Sequence, residues 1–176
     1  MKNIVKITSG LFRGRAVSTP GGKTHPMGER ERLALFNMIS EYLPGAVVLD
    51  AFAGSGALGL EALSRGADKI MFVDNSAEAV EAVKRNIAEL GVNSDAAKAN
   101  RMKVSQFETD VRFDVILADP PYDSFEITDI EHLVQFVKKE GILVLSHPYR
   151  APDLPGMILE KSRKYAGATI SVYVKS

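Results

Sequence analysis

Two short stretches of the chain carry residue types whose spacing could do chemistry. In the first, Asp119-Pro120-Pro121-Tyr122, a carboxylate, two prolines and an aromatic ring follow one another directly. Proline fixes its own φ, donates no backbone N–H and restricts the residue before it, so the Asp119 carboxylate and the Pro120 carbonyl are held as acceptors in a stiff loop. Tyr122 adds a flat face beside them. Such a corner suits a planar exocyclic amine, whose two N–H groups need two acceptors and whose ring needs a stacking partner. A proline-rich strand terminator would use the same dipeptide.

The second stretch runs Val47-Val48-Leu49-Asp50-Ala51-Phe52-Ala53-Gly54-Ser55-Gly56-Ala57-Leu58-Gly59, a buried strand, a glycine turn and a helix start. Gly54, Gly56 and Gly59 stand at the GxGxxG spacing that permits a tight turn, close approach of a ligand to backbone and close helix-to-strand packing. Asp74 ends the next apolar run, Ile70-Met71-Phe72-Val73, where an acid would accept from a pair of ribose hydroxyls. The glycine loop and Asp74 alone would equally serve a nicotinamide dinucleotide in a binding module without catalysis. That reading gives no reason for the Asp119 corner.

The elements needed to bring the two stretches together are legible. Residues 3–8 and 14–19 alternate around a glycine-containing turn, Ser9 to Gly14, and read as a β-hairpin carrying Phe12 and Arg13. The loop Thr19 to Gly28 is rich in Gly, Pro and Thr and is expected to close over the site. Leu35, Phe36, Ile39 and Leu43 predict a helix from Glu29 to Leu43, stopped by Pro44-Gly45. Ala57 to Arg65 reads as a second helix, and a third begins at an Asn75/Glu78 capping box and stops at Gly91. Thr128 and Glu131 suggest a cap for a fourth helix ending near Gly141, ahead of a strand at Ile142 to Ser146. Met157 to Lys164 and Thr169 to Val174 read as two strands joined at Ala166-Gly167, a closing hairpin. Residues 92–112 carry no clear pattern. Alternating β and α elements imply an α/β fold with a mostly parallel sheet, helices on both faces and ligands at the carboxyl ends of the strands.

With both stretches in one chain, the sequence resembles the DPPY class of S-adenosylmethionine-dependent amino-methyltransferases. It most closely resembles the bacterial family that methylates the N2 amine of a guanosine in 16S ribosomal RNA. The closer match is carried by Ile7-Thr8-Ser9-Gly10 with Arg13-Gly14-Arg15, by Thr24-His25-Pro26 leading to Arg30 and Ala34-Leu35-Phe36-Asn37, and by Leu58-Gly59-Leu60-Glu61-Ala62-Leu63-Ser64-Arg65-Gly66-Ala67. The resemblance implies a Rossmann-like class I methyltransferase fold in a single domain over residues 1–176, with residues 1–28 as an extension. It implies S-adenosylmethionine bound by Asp50, Phe52, Gly54, Ser55, Gly56, Asp74, Asn75 and Asn100, the last standing where relatives place an acid for the adenine amine. Asp119, Pro120, Pro121 and Tyr122 would hold the target amine, and Arg13, Arg15, Lys23 and Arg30 the RNA. His25 and Met27 depart from the family's arginine and threonine; Arg to His removes a permanent charge and a fork of donors. An N6-adenine or glutamine-amide methyltransferase would use the same corner, but such enzymes usually carry an added recognition domain.

Composition sets the outer bounds. A chain of 176 residues that is 45% apolar has the size of one globular domain with a real core. No apolar run reaches membrane-spanning length and no secretory segment opens the sequence, so a cytoplasmic monomer free of membranes is expected. The absence of cysteine excludes disulfides, thiolate metal sites and cysteine nucleophiles. His25, His132 and His147 have no ligand spacing, and no metal is expected. The net charge of zero hides an asymmetry. Residues 1–28 and 161–176 hold only basic charges, so the remainder is acidic. A basic patch on an acidic body is what a phosphate-binding face would show, and a small-subunit RNA, free or in an assembly particle, is the expected partner.

Overall fold

A computed structural model describes residues 4–21 and 26–176. Lys23 and His25 lie outside the described residues, as does the middle of the loop expected to close over the site. In chain order the elements are β1 (Ile4–Lys6), β2 (Ala16–Ser18), α1 (Glu29–Met38), β3 (Val47–Ala51), α2 (Ala57–Ser64), β4 (Lys69–Asp74), α3 (Ala77–Leu90), β5 (Ala97–Arg101), β6 (Phe113–Ala118), α4 (Ile127–Val134), β7 (Val137–His147), β8 (Met157–Lys164) and β9 (Thr169–Lys175).

Strands β3 to β9 form one seven-stranded sheet in the order β5-β4-β3-β6-β7-β9-β8. The first five of these are parallel, while β9 runs antiparallel to both β7 and β8. Successive side chains of a strand point to opposite faces, and here both faces are covered, which is why the strands read as nearly continuous apolar runs. Val48, Phe72, Val115 and Leu117 pack under Leu35 and Phe36 of α1, Leu58 of α2 and Val83 of α3. Leu49, Val73, Ile116 and Leu143 pack against Ile130 and Leu133 of α4 on the other face. The fold is thus a Rossmann-like α/β sheet of the class I methyltransferase type, and the predicted closing hairpin is present with its second strand inserted into the sheet.

Several boundaries differ from the sequence reading, each for a local reason. Helix α1 stops at Met38 and a single 3₁₀ turn at Ser40–Tyr42 completes the predicted span. The cap of α3 is Ser76, whose side chain accepts from the Ala79 N–H at 3.3 Å; Asn75 is not the cap, and Asp74 Oδ1 instead accepts from the Ser76 N–H. Helix α4 ends at Val134, seven residues short of Gly141, and no side chain caps it. The segment after it is already strand: Phe113 pairs with Val137, then the register shifts, with Glu140 at φ 62° taking up the slack before Val115 pairs with Ile142. Within the unpatterned 92–112 region lie β5 and a 3₁₀ turn at Val104–Gln106.

Strands β1 and β2 form the expected hairpin, which is clamped to the helical face by a buried acid. Glu61 of α2 has no solvent exposure. Its carboxylate accepts from the Thr8 N–H at 2.9 Å, the Thr8 hydroxyl at 2.6 Å, the Ser9 N–H at 3.1 Å and Arg65 Nε at 2.9 Å, with Arg32 Nε at 3.7 Å. Arg32 is itself buried and its Nη2 donates to the Lys6 carbonyl at 2.6 Å. The family stretches Ile7–Gly10 and Leu58–Ala67 therefore meet here as two halves of one structural joint. The hairpin's turn lies against the far end of α2: the Leu11 N–H donates to the Ser64 carbonyl and the Phe12 N–H to Ser64 Oγ.

Candidate active site

In an open parallel sheet, ligands bind outside the carboxyl ends of the strands where the strand order reverses. That reversal falls between β3 and β6, whose carboxyl ends carry the glycine loop and Asp119 respectively.

The glycine loop is built from the strand end outward. Phe52 turns the chain at φ 66°, a left-handed conformation uncommon for a non-glycine residue, and packs half-buried toward the α4 face. The Ala53 N–H donates to the Val73 carbonyl of β4, and the Gly54 N–H donates to Asp74 Oδ2 at 2.9 Å, so β4 fixes the loop directly. Ser55 is buried and its carbonyl accepts from Asn86 Nδ2, while Gly56 adopts φ 79° before the helix. Gly59 must be glycine because an added Cβ would sit 2.4 Å from the Phe72 ring and 2.5 Å from Ile70, so α2 could not rest this close to β4. Gly54 is different. A Cβ there would meet nothing within 4 Å, which leaves its backbone open to a ligand.

Asp50 is buried, and its Oδ2 accepts from the Gly59 N–H at 2.9 Å. Helix α2 has no cap from Gly56, so Asp50 satisfies one of the orphan first-turn donors from the neighbouring strand. Burial holds the Asp50 carboxyl well above the usual carboxylate range; the Gly59 hydrogen bond opposes this, and the nearby Asp119 and Asp74 charges reinforce it. Three carboxylates from three strands thus converge on one edge. Asp74 stays half-exposed, and with one N–H on each oxygen it keeps lone pairs for further donors. Beside it, a shallow open hollow is lined by Asn75, Arg101, Met102, Lys103 and Gln106. Asn100 is half-buried on β5 opposite Val73, one residue before that lining. A second cavity, about 380 Å³, lies at the amino edge around Asp114 and Lys138, away from every predicted site residue.

At the corner, Ala118 pairs with Leu145, which brings Asp119 beside Ser146 at the end of β7. Ser146 is buried and its hydroxyl lies 2.5 Å from the Tyr122 hydroxyl. Burial pushes the Asp119 carboxyl up to about 6, against the pull of a hydrogen bond from Ser146. Burial also raises the Tyr122 phenol, opposed by Ser146 and reinforced by Asp119. Ser146 therefore links acid and ring, a role that its place at the end of an apolar run did not reveal. Replacing Ser146 by Ala is expected to move the Asp119 midpoint further above 6 and to free the Tyr122 ring; a pH titration of activity or of the carboxyl's NMR signal checks the direction.

Asp74→Ala should weaken cofactor binding by roughly 1.5 to 3 kcal/mol, the worth of charge-assisted hydrogen bonds to a diol. Calorimetry with S-adenosylmethionine reads this directly, and an unchanged affinity would remove Asp74 from the site.

Among the described residues, the proposed RNA contacts Arg13, Arg15 and Arg30 are not brought together. Arg13 sits on the exposed hairpin turn at the end of α2 remote from the glycine loop, and Arg15 Nη2 donates to the Glu89 carbonyl at 2.7 Å, serving the last turn of α3. Arg30 is exposed in the first turn of α1. The described histidines are structural: His132 Nε2 lies 2.8 Å from the Phe107 carbonyl, and the buried His147 Nε2 lies 2.8 Å from Ser171 Oγ.

Known proteins are similar to this chain in sequence and fold. A Bacillus subtilis (strain 168) protein with the provisional name rRNA methyltransferase YlbH is 31% identical over 183 residues, covering 97% of this chain and 99% of its own. The ribosomal RNA small subunit methyltransferase D of Haemophilus influenzae is 35% identical over 69% of this chain and 65% of its own length. Among solved structures, an Escherichia coli protein provisionally named methyltransferase yhhF superposes with a TM-score of 0.89 at 25% identity, covering 99% of both chains. The magnesium protoporphyrin IX methyltransferase of Synechocystis PCC 6803, solved with bound S-adenosylmethionine, shares the fold at a TM-score of 0.66 and 15% identity. The family model described as Conserved hypothetical protein 95 matches residues 5–175, and the chain belongs to that family, with ribosomal RNA small subunit methyltransferases D among its relatives.

Proposed function

We propose that this protein transfers a methyl group from S-adenosylmethionine to the exocyclic N2 amine of a guanosine in 16S ribosomal RNA. The observation that carries the reading is the pairing of an Asp119–Tyr122 amine corner with an open glycine loop across the β3/β6 switch point. The residues fit the cofactor: Gly54 leaves room for close approach, Asp74 has acceptor capacity for the ribose diol, and a shallow open hollow beginning at Asn75 lies where the base end would rest. Asp50, Phe52, Ser55 and Gly56 shape the loop, and Asn75 and Asn100 flank the base end. The charges of Asp74 and Asp119, which push the buried Asp50 carboxyl up, also favour a cationic ligand at this edge. When bound, S-adenosylmethionine supplies a methyl group made electrophilic by its sulfonium.

The chain's own contribution is to prepare the nitrogen. A guanine N2 lone pair is delocalised into the ring and is a poor nucleophile. Acceptors at Asp119 Oδ and the Pro120 carbonyl draw its two N–H groups out of the base plane, while Tyr122, held by Ser146, supports the face of the base. Pro121 keeps the corner rigid. Once the nitrogen gains its fourth bond it must lose a proton, and an Asp119 carboxylate titrating near 6 is suited to receive it at neutral pH. Positioning supplies much of the rate.

The substrate is a small-subunit RNA or assembly particle acted on by a monomer. Mass spectrometry of digested ribosomal RNA from cells lacking the protein should show one N2-methylguanosine missing. A full complement of that nucleoside, or loss of an N6-methyladenosine instead, would overturn the assignment.

A further inference from the structure

We propose that the RNA is gripped by a lip at the β7–β9–β8 end of the carboxyl edge, formed by Tyr149, Arg150, Arg163 and Lys164, rather than by the N-terminal hairpin turn. This rests on the reading of the protein as an RNA methyltransferase and names the surface that such a reading requires.

Strand register brings these residues together. Thr169 of β9 pairs with His147 on one side and with Lys164 on the other, so the ends of β7 and β8 lie on one row of the sheet, roughly 10 Å apart across β9. Because β8 runs parallel to β7, its two final cations, Arg163 and Lys164, emerge at the same edge as the loop that follows His147. Two residues along that loop stand Tyr149, 74% exposed, and the exposed Arg150. The row continues inward to Ser146 and Asp119 through the pairing of Ala118 with Leu145. An unburied aromatic next to one cation, on the sheet edge that also carries two more and one strand from an amine-binding corner, has the makeup of a single-stranded nucleic-acid platform: a face for a neighbouring base and charges for its phosphates.

Charge gives the surface a direction. Residues 161–176 contain no acid and the loop from 148 to 156 holds a single one, the exposed Asp153, whereas the exposed Asp123 and Glu126 directly follow the corner in sequence. Three exposed cations, Arg150, Arg163 and Lys164, thus stand against one acid at this end of the edge, a balance that favours phosphates there. Arg30, exposed on the first turn of α1, belongs to the same edge, because α1 runs down to the amino edge and Lys161 Nζ reaches the Met38 carbonyl near its end. The hairpin turn has neither advantage. Its Arg13 is remote from the corner and its Arg15 already serves the Glu89 carbonyl.

The test measures binding of a small-subunit RNA fragment against salt for the unaltered protein, for R150A/R163A/K164A and for R13A/R15A, each checked for fold by thermal melting. The lip variant should flatten the log–log slope by about two units or more, at roughly 0.7 to 0.9 per lost contact, and raise KM for RNA while leaving kcat at saturation and cofactor affinity unchanged. Tyr149→Ala should weaken binding roughly tenfold, as for one lost stacking contact, without changing the slope. An unaltered slope in the lip variant, a slope lost in the hairpin variant instead, or no RNA binding by the unaltered protein overturns the proposal. Failure of the functional reading looks different: the unaltered protein binds RNA through the lip with its full salt slope yet transfers no methyl group to it.

Discussion

Asp119→Ala is expected to lower methyl transfer by roughly a hundred- to a thousand-fold, the scale seen when one preorganised group is removed from a reacting centre. Cofactor affinity should stay within a few-fold, because the partner of this carboxylate is the substrate amine. The unaltered enzyme should lose activity as pH falls through about 6, where Asp119 takes up a proton and loses an acceptor. Asp119→Asn keeps one carbonyl acceptor, so it should retain a fraction of the rate and lose the acid limb. Stability moves the other way. A carboxyl whose folded pKa is raised from 3.8 to about 6 contributes stability that is full below about 4 and lost as pH rises through 6. Asp119→Asn should therefore melt at a higher temperature than the unaltered protein at pH 7 to 8, with the difference vanishing near pH 4. A variant of Asp119→Ala that turns over at the normal rate would end the proposed chemistry.

The second large effect is on folding. Glu61→Ala should destabilise the protein by roughly 3 to 5 kcal/mol, because it leaves the buried Arg32 guanidinium without its counter-charge and strips acceptors from Thr8, Ser9 and Arg65. Burial already pushes Arg32 below the usual guanidinium range, with Glu61 the main opposing influence. In a chain of this size such a loss lowers the melting temperature by roughly 10 °C or more. Replacing both partners, as in Arg32→Met with Glu61→Leu, should cost less than the single change, since the buried Arg32 charge leaves together with its counter-charge, while Arg65, Thr8 and Ser9 still lose their acceptor. Equal melting temperatures for Glu61→Ala and the unaltered protein would show that the hairpin is not held by this joint.

The placement of the two stretches was legible because local sequence and topology agree there. Glycine spacing, a strand before it and an acid at the next strand end each demand the same loop, and Gly54, Gly59 and Asp74 occupy it as required. Ser146 was not legible, since a serine closing an apolar strand has no local mark and acquires its role only when β7 lies beside β6. Likewise Glu61 reads as an ordinary helix acid until the hairpin folds over it. The misplaced end of α4 has a different origin: Val134, Phe136 and Val137 suit a helix face or a buried strand, and only pairing with Phe113 decides between them. The cationic arginines of the hairpin were counted correctly, but a count of charges carries no direction, and α2 turns that end of the hairpin away.

The insertion of β9 between β7 and β8 has a consequence for the order in which the protein can be made. A ribosome delivers β7 and then β8 before β9 exists, so until the last strand emerges β7 has an unpaired edge and β8 has no neighbour in the sheet at all. The parallel half of the sheet, including the glycine loop and the Asp119 corner, can assemble during synthesis, whereas the basic end of β8 takes its position only after Thr169–Lys175 has threaded into the gap. The half that would hold the cofactor can therefore be finished before the half that would meet the RNA, so on this topology the proposed RNA lip is the last part of the sheet to take shape.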